Sequence, residues 1–270
     1  MLKFDSTNYF KQDFSLPSPL IRYLMINSDS ENLKNLYKTC KYFYSKLQIN
    51  IIDYICLEDV ENFEKDPLGP HDIELLNHHL DKLPNNLWLA GNILLANDIN
   101  ISQFFSKIAR CDLFKITLAL DTKFTINDLT FLTRSGNVKE VTIYHTIYSS
   151  NDSDEKVPLE DILSHLSNAD FIQIMHGIFT KDTMKKLMEL NFQRKFTDFS
   201  LLEINHYQMP NANLIDEFLK KNLKDRAYLE LSFIDAEENR LFKSQIFEKI
   251  DAWFPEERKP QTFPKEFVSE

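Results

Sequence analysis

The sequence predicts an α/β fold, an irregular solenoid of β/α units carrying an N-terminal helical head. Three observations predict it. Six short apolar runs with partial period-two alternation start about 25–30 residues apart between positions 87 and 233. Stretches with helical periodicity separate them. Upstream of both lies a helix-patterned segment with its own proline start and break signals.

The strand runs are Leu87–Ala90, Lys115–Leu120, Glu140–Tyr144, Phe171–Met175, Asp198–Ile204 and Tyr228–Phe233. Helices are expected between them. Ser102–Cys111 carries Phe104, Phe105 and Ile108. Thr125–Arg134 opens on a Thr cap and carries Leu129 and Leu132. Leu159–Leu166 follows Pro158. Thr180–Leu190, Asn213–Leu223 and a last helix over about Glu238–Phe254 complete the series. In the last, Leu241, Phe242, Ile246, Phe247, Ile250 and Trp253 are expected to face inward. Alternating strand and helix argues for parallel strands in one sheet. A compact doubly wound α/β domain has the same element order and stays open as the alternative.

Residues 61–256 form the expected body and 257–270 an irregular tail. Asp66–Asp72, with two prolines and a glycine, reads as the linker after a head of residues 1–60. Ser149–Pro158 reads as an acidic surface loop.

In the head, Pro17 and Pro19 stand where a helix can begin. Leu20, Ile21 and Leu24 are expected on one helical face. Ser28, Asp29 and Ser30 break that helix and offer a new N-cap. Leu33, Leu36, Cys40, Phe43 and Leu47 then recur at helical spacing.

These residues resemble the F-box motif. Leu16-Pro17, Leu20, Ile21, Leu24, Leu33, Leu36, Cys40-Lys41 and Phe43 fall in its order without a gap. Thr39 departs from it where the family usually has an apolar residue, and Ser28 where it usually has Leu. An F-box head followed by leucine-rich-like repeats resembles nematode-type F-box proteins, although the Asn or Cys that usually follows each strand is not regular here. The resemblance implies a substrate-recognition subunit of a cullin-type ubiquitin ligase. Leu16, Pro17, Leu20, Ile21, Leu24, Leu33, Leu36, Cys40 and Phe43 would then hold a Skp-type adaptor protein. The competing reading is a scaffold or regulatory binding module whose head only caps the repeats.

In a solenoid one side of each strand packs inward and the other lines a binding surface. The outward candidates for a protein substrate are Thr117, Thr142, Tyr144, Gln173, Met175, Ser200, Glu203, Glu230 and Ser232. Tyr144 and Met175 are the expected anchors, since aromatic residues and Met are enriched at interfaces.

Composition narrows the function classes. Of 270 residues, 43% are hydrophobic and 22 are Phe, enough for a sizeable core. The net charge of -10 argues against a phosphate backbone as partner. No apolar run is long enough for a membrane span and no signal peptide is expected. Three cysteines, Cys40, Cys56 and Cys111, with no CxxC, suit buried thiols in a reducing cytoplasmic or nuclear setting. No cofactor, metal or catalytic site is expected. GxGxxG, GxxxxGK[ST] and GxSxG are absent. His71, His78 and His79 lack a second ligand pair. His145 and His176 each follow a strand, where an α/β active site would lie, but no nucleophile accompanies them.

Overall fold

The computed structural model describes residues 17–58, 72–206 and 210–262. Three helices come first, α1 (Ser18–Asn27), α2 (Ser30–Thr39) and α3 (Lys41–Leu47). Strands β1 (Asn50–Glu58), β2 (Asp72–Leu76) and β3 (Leu87–Asn97) follow, with a 3-10 helix over Asn77–Lys82 between the last two. Then come α4 (Ile101–Phe105), β4 (Ile108–Cys111), β5 (Lys115–Leu120), β6 (Phe124–Thr125), α5 (Ile126–Thr133), β7 (Glu140–Ile143) and β8 (Ile147–Tyr148). The chain continues through α6 (Leu159–Ser164), β9 (Phe171–Met175), β10 (Ile178–Phe179), α7 (Thr183–Glu189), β11 (Phe196–His206) and α8 (Ala212–Asn222). It closes on β12 (Leu223–Phe233), α9 (Ala236–Asp251) and β13 (Gln261–Thr262).

The fold is mixed α/β on an open, parallel sheet. Strand order is β13-β12-β11-β9-β7-β5-β3-β1-β2, with β4 beside β3 and β10 beside β11. From β3 onward each new main strand is laid down on the same side of the one before. Right-handed crossovers on a sheet growing in one direction put their helices on one face. That is what the core shows. Phe104, Leu129, Leu163, Leu187, Phe218 and Phe242, from α4 to α9, share one cluster with Ile116, Leu118, Val141, Ile172, Phe199 and Leu229 of the strands. Chain-neighbouring helices touch, α6 with α7, α7 with α8 and α8 with α9.

The head sits on the opposite face. Ile21, Met25, Leu33 and Tyr37 pack with Ile51 and Trp88 in a second cluster. Their neighbours Ile52 and Leu89 belong to the main core. Successive strand residues point to opposite faces, so the two clusters lie on either side of β1 and β3. The ammonium of Lys34 on α2 adds a tie, 2.6 Å from the Asp53 carboxylate on β1. The Trp88 indole donates to Asp112 at 2.9 Å, and the Arg110 guanidinium lies 3.9 Å over its ring.

Between Ile52 and Tyr54 the β1–β3 register shifts. Gly91 fits that bulge because a Cβ there would stand 2.0 Å from the Asp53 carbonyl oxygen. Only a residue with no side chain lets the two backbones approach so closely.

Most expected elements are present, and several expectations need correction. The segment Ser102–Cys111 is not one helix: α4 ends at Phe105, and Ile108–Cys111 is β4, paired with β3. Leu241 and Phe247 of α9 are exposed while Phe242, Ile246, Ile250 and Trp253 are buried. Strand β1 lies within the stretch read as head, yet it is integral to the sheet between β3 and β2. Gln261–Thr262 of the tail pairs with β12. The linker ahead of Asp72 lies outside the described residues.

Candidate functional site

Two surfaces carry the residues singled out in the sequence. The first is the head. Asp29 caps α2, accepting from the Asn32 amide at 2.7 Å. Cys40 is extended and ends α2; its sulfur accepts from the Tyr42 amide at 3.3 Å and starts α3. The helical stripe through Leu33, Leu36, Cys40, Phe43 and Leu47 therefore runs over two helices with a corner at Cys40. The two departures from the F-box pattern fall at helix ends. There the Ser28 hydroxyl donates to the Leu24 carbonyl at 2.6 Å and the Thr39 hydroxyl to the Leu36 carbonyl at 2.8 Å.

The apolar residues of α1 divide between two faces. Ile21 and Met25 are buried against the sheet. Leu20, Tyr23 and Leu24 are 51%, 64% and 48% exposed. The expectation that Leu20, Ile21 and Leu24 share one face is thus corrected: Ile21 points inward and the two leucines outward. Tyr23 is not part of the F-box pattern, but its spacing of three from Leu20 places it on the outer stripe. Pro17 is exposed. Leu33 is fully buried, and Leu36 and Phe43 pack partly buried on the head cluster. Leu16 lies outside the described residues.

The second surface is the sheet face that α4–α9 leave open. Parallel register aligns its residues in rows. One row runs Glu74, Cys56, Leu94, Thr117, Thr142, Gln173, Ser200, Glu230 across neighbouring strands. Thr117, Thr142, Gln173 and Glu230, chosen strand by strand from the sequence, are thus brought into one line. The row beside it runs Asp72, Tyr54, Asn92, Lys115, Glu140, Phe171, Asp198, Tyr228. A two-residue step back from each chosen position would have found Lys115, Glu140, Phe171, Asp198 and Tyr228.

Toward the strand C-terminal ends, Met175 pairs with Leu202. Tyr144, just past β7, is 43% exposed. Glu203 stands at a left-handed backbone position (φ 50), where the β11–β12 register shifts. Its amide donates to the Ser232 hydroxyl at 3.1 Å, and its carboxylate lies 3.3 Å from His176 Nδ1. Thr142 and Ser200 face this side but are buried by their neighbours. They are floor, while Gln173, Met175, Tyr144, Tyr228 and Glu230 are half-buried or exposed walls.

Charge on this face is uneven. Lys115 and Glu140 form a cross-strand ion pair at 2.9 Å. Asp198 accepts from the Ser200 hydroxyl at 2.9 Å, and Glu230 accepts from the Tyr228 hydroxyl at 2.9 Å. Burial pushes the Asp198 carboxyl up, opposed by the Ser200 hydrogen bond and helped by the charge of Glu230. Burial, with the same two carboxylates nearby, pushes the Tyr228 phenol up to about 12.

Two thiols and one imidazole elsewhere lie in buried surroundings. Cys56 and Cys111 are buried, their thiols pushed up to about 11 and about 12 chiefly by burial. His145 stands edge-on to Phe124, and burial holds it down to about 4. Among the described residues no group of three His, Cys, Asp or Glu side chains is arranged to hold a metal ion. His71 lies outside them. Among them too, no helix is long and apolar enough to cross a membrane. Comparisons with family models, with curated proteins and with solved structures return no match.

Proposed function

We propose that the chain is the substrate-recognition subunit of a cullin-type ubiquitin ligase. In this reading α1–α3 are an F-box-like head that docks a Skp-type adaptor protein. The strand–helix units form a leucine-rich-like solenoid whose open face holds a protein substrate. The chain does no bond chemistry of its own; it raises the effective concentration of a substrate beside the transferring enzyme. Such a role places it in the cytoplasm or nucleus, where the thiols stay reduced.

One observation carries the reading: the outer stripe of α1. A short helix that anchors itself through Ile21 and Met25 has no need of Leu20, Tyr23 and Leu24 on its other side. Clustered apolar side chains left in water on a soluble surface mark a docking site. Leu20 and Leu24 fall at positions where the F-box resemblance places adaptor contacts, and Tyr23 lies beside them. The one-way growth of the sheet, with α4–α9 on one face, supports the repeat reading of the body.

The test is capture of a Skp-type adaptor by the full chain. Leu20→Glu with Leu24→Glu changes only exposed positions, so the thermal midpoint is expected to hold. Adaptor capture is expected to fall about a hundredfold, in keeping with loss of two buried contacts. Capture unchanged by the double substitution, or none by the native chain, overturns the proposal.

A second reading has its own support. The head cluster seals Ile51 and Trp88 on the first strands. On that ground α1–α3 serve as an end cap of a binding scaffold with no ubiquitin role. Full-chain stability that survives the double substitution while adaptor is never captured favours this reading.

A further inference from the structure

The open sheet face has a charge pattern that narrows what it binds. Across the register-paired positions of β5, β7, β9, β11 and β12 on that face, Lys115 is the single lysine or arginine. It is already engaged by Glu140. Farther along, Asp198 and Glu230 stand on adjacent strands, held by the hydroxyls of Ser200 and Tyr228. Among the described residues neither carboxylate has a cation within ion-pair distance. Among the described residues, the head cluster meets this side at β1 and β3. Among the described residues, no member of the head cluster lies on β5, β7, β9 or β11.

We propose that this face takes a basic, lysine- or arginine-bearing segment of a partner protein. The inference rests on the reading of the face as the substrate surface and adds the substrate's chemistry. Two carboxylates held by neutral hydroxyls keep acceptor capacity for an incoming ammonium or guanidinium, and charge-assisted hydrogen bonds are the strong ones. Partial burial of Asp198 removes competing water. Phe171 lies in the same row as Asp198 and Tyr144 is exposed just past β7, and aromatic rings attract cations. Gln173, between Thr142 and Ser200, can donate or accept to an extended backbone. An acidic or phosphorylated segment would meet repulsion from both carboxylates.

The test uses the full chain and two fluorescent probes, a lysine–serine repeat peptide and its glutamate–serine counterpart. Asp198→Asn with Glu230→Gln keeps the shape and removes the charge. Glu237→Gln with Glu248→Gln removes the same charge from exposed positions of α9. Gln173→Trp blocks the middle of the face whatever the partner's charge. The lysine probe is expected to bind and the glutamate probe not to. The face double variant is expected to lose about tenfold in affinity, the α9 variant less than about twofold, and Gln173→Trp about tenfold. Equal loss in the two double variants reduces the binding to net charge and overturns the inference. Loss with Gln173→Trp but none with Asp198→Asn/Glu230→Gln overturns the basic-segment inference and keeps the face as the binding surface. No loss with either overturns both.

Discussion

At the scale of single residues, burial is the largest cause of the shifts at Tyr37, Cys56, Cys111, His145 and Tyr228. His145 shows it best. A histidine in an unfolded chain titrates near about 6.5, and burial against Phe124 holds this one down to about 4. Between those values the unfolded chain binds a proton that the folded chain refuses. Stability therefore falls as pH drops through that window and is fully present above it. Going from pH 7 to pH 5, the single group is expected to cost about 2 kcal/mol. Urea midpoints at the two pH values measure it, and His145→Phe is expected to lose about that much less than the native chain. Equal losses would show that some other group controls the acid limb. The same logic separates floor from wall on the open face. Alternation places Thr142 and Ser200 on the open face but gives direction and not depth, and both are buried. A strand residue facing outward is still covered when both neighbouring strands present side chains beside it.

At the scale of elements, local chemistry sets the boundaries. Helix α5 begins in a reciprocal capping box: Thr125 accepts from the Asp128 amide, and Asp128 accepts from the Thr125 amide. Thr125→Ala is expected to lower the unfolding free energy by about 1 kcal/mol, read as a shift in denaturant midpoint at constant slope. A shift of less than about 0.3 kcal/mol would mean that packing alone holds the helix. This cap was legible in the sequence, as were the strands β5, β7, β9, β11 and β12, because a parallel strand buried by helices on one face keeps a period-two apolar signal. Strands β1 and β2 were not legible. Asn50–Glu58 reads nearly continuous in apolar residues because it is buried on both faces, by the main core and by the head. Strand β4 was hidden inside a helical stripe, since Phe104, Phe105 and Ile108 share a spacing that four residues of strand also accommodate. On α1 the stripe gave the helix but not its buried side. Apolar residues at Leu20, Ile21, Leu24 and Met25 cover too wide an arc for periodicity to choose between core and solvent.

At the scale of the whole molecule, the two clusters differ greatly in size. Among the described residues, the head cluster has Ile21, Met25, Leu33, Tyr37, Ile51 and Trp88 as buried members, whereas the other runs from Ile52 to Trp253. The two tryptophans report on opposite ends, Trp88 beneath the head and Trp253 after α9, where its indole donates to Asp216 at 2.7 Å. With Trp253→Phe the remaining fluorescence follows the head; with Trp88→Phe it follows the far end. The head reporter is expected to lose its signal at lower denaturant, because a small cluster gains less from burial than a long one. Coincident midpoints would instead show one cooperative unit.

The in-register rows on the open face have a consequence for engineering. Each strand–helix unit between β5 and β11 touches mainly its chain neighbours, and Thr117, Thr142, Gln173 and Ser200 follow one another at a fixed step of about 4.8 Å. The face is therefore a ruler whose graduations are side chains. Excising one unit, from Glu140 to Asp170, would bring Thr117 next to Gln173 and shorten the ruler by one graduation. Duplicating a unit would lengthen it by the same amount. The length of the face can be set by counting units, while the identity of each graduation is left to substitution.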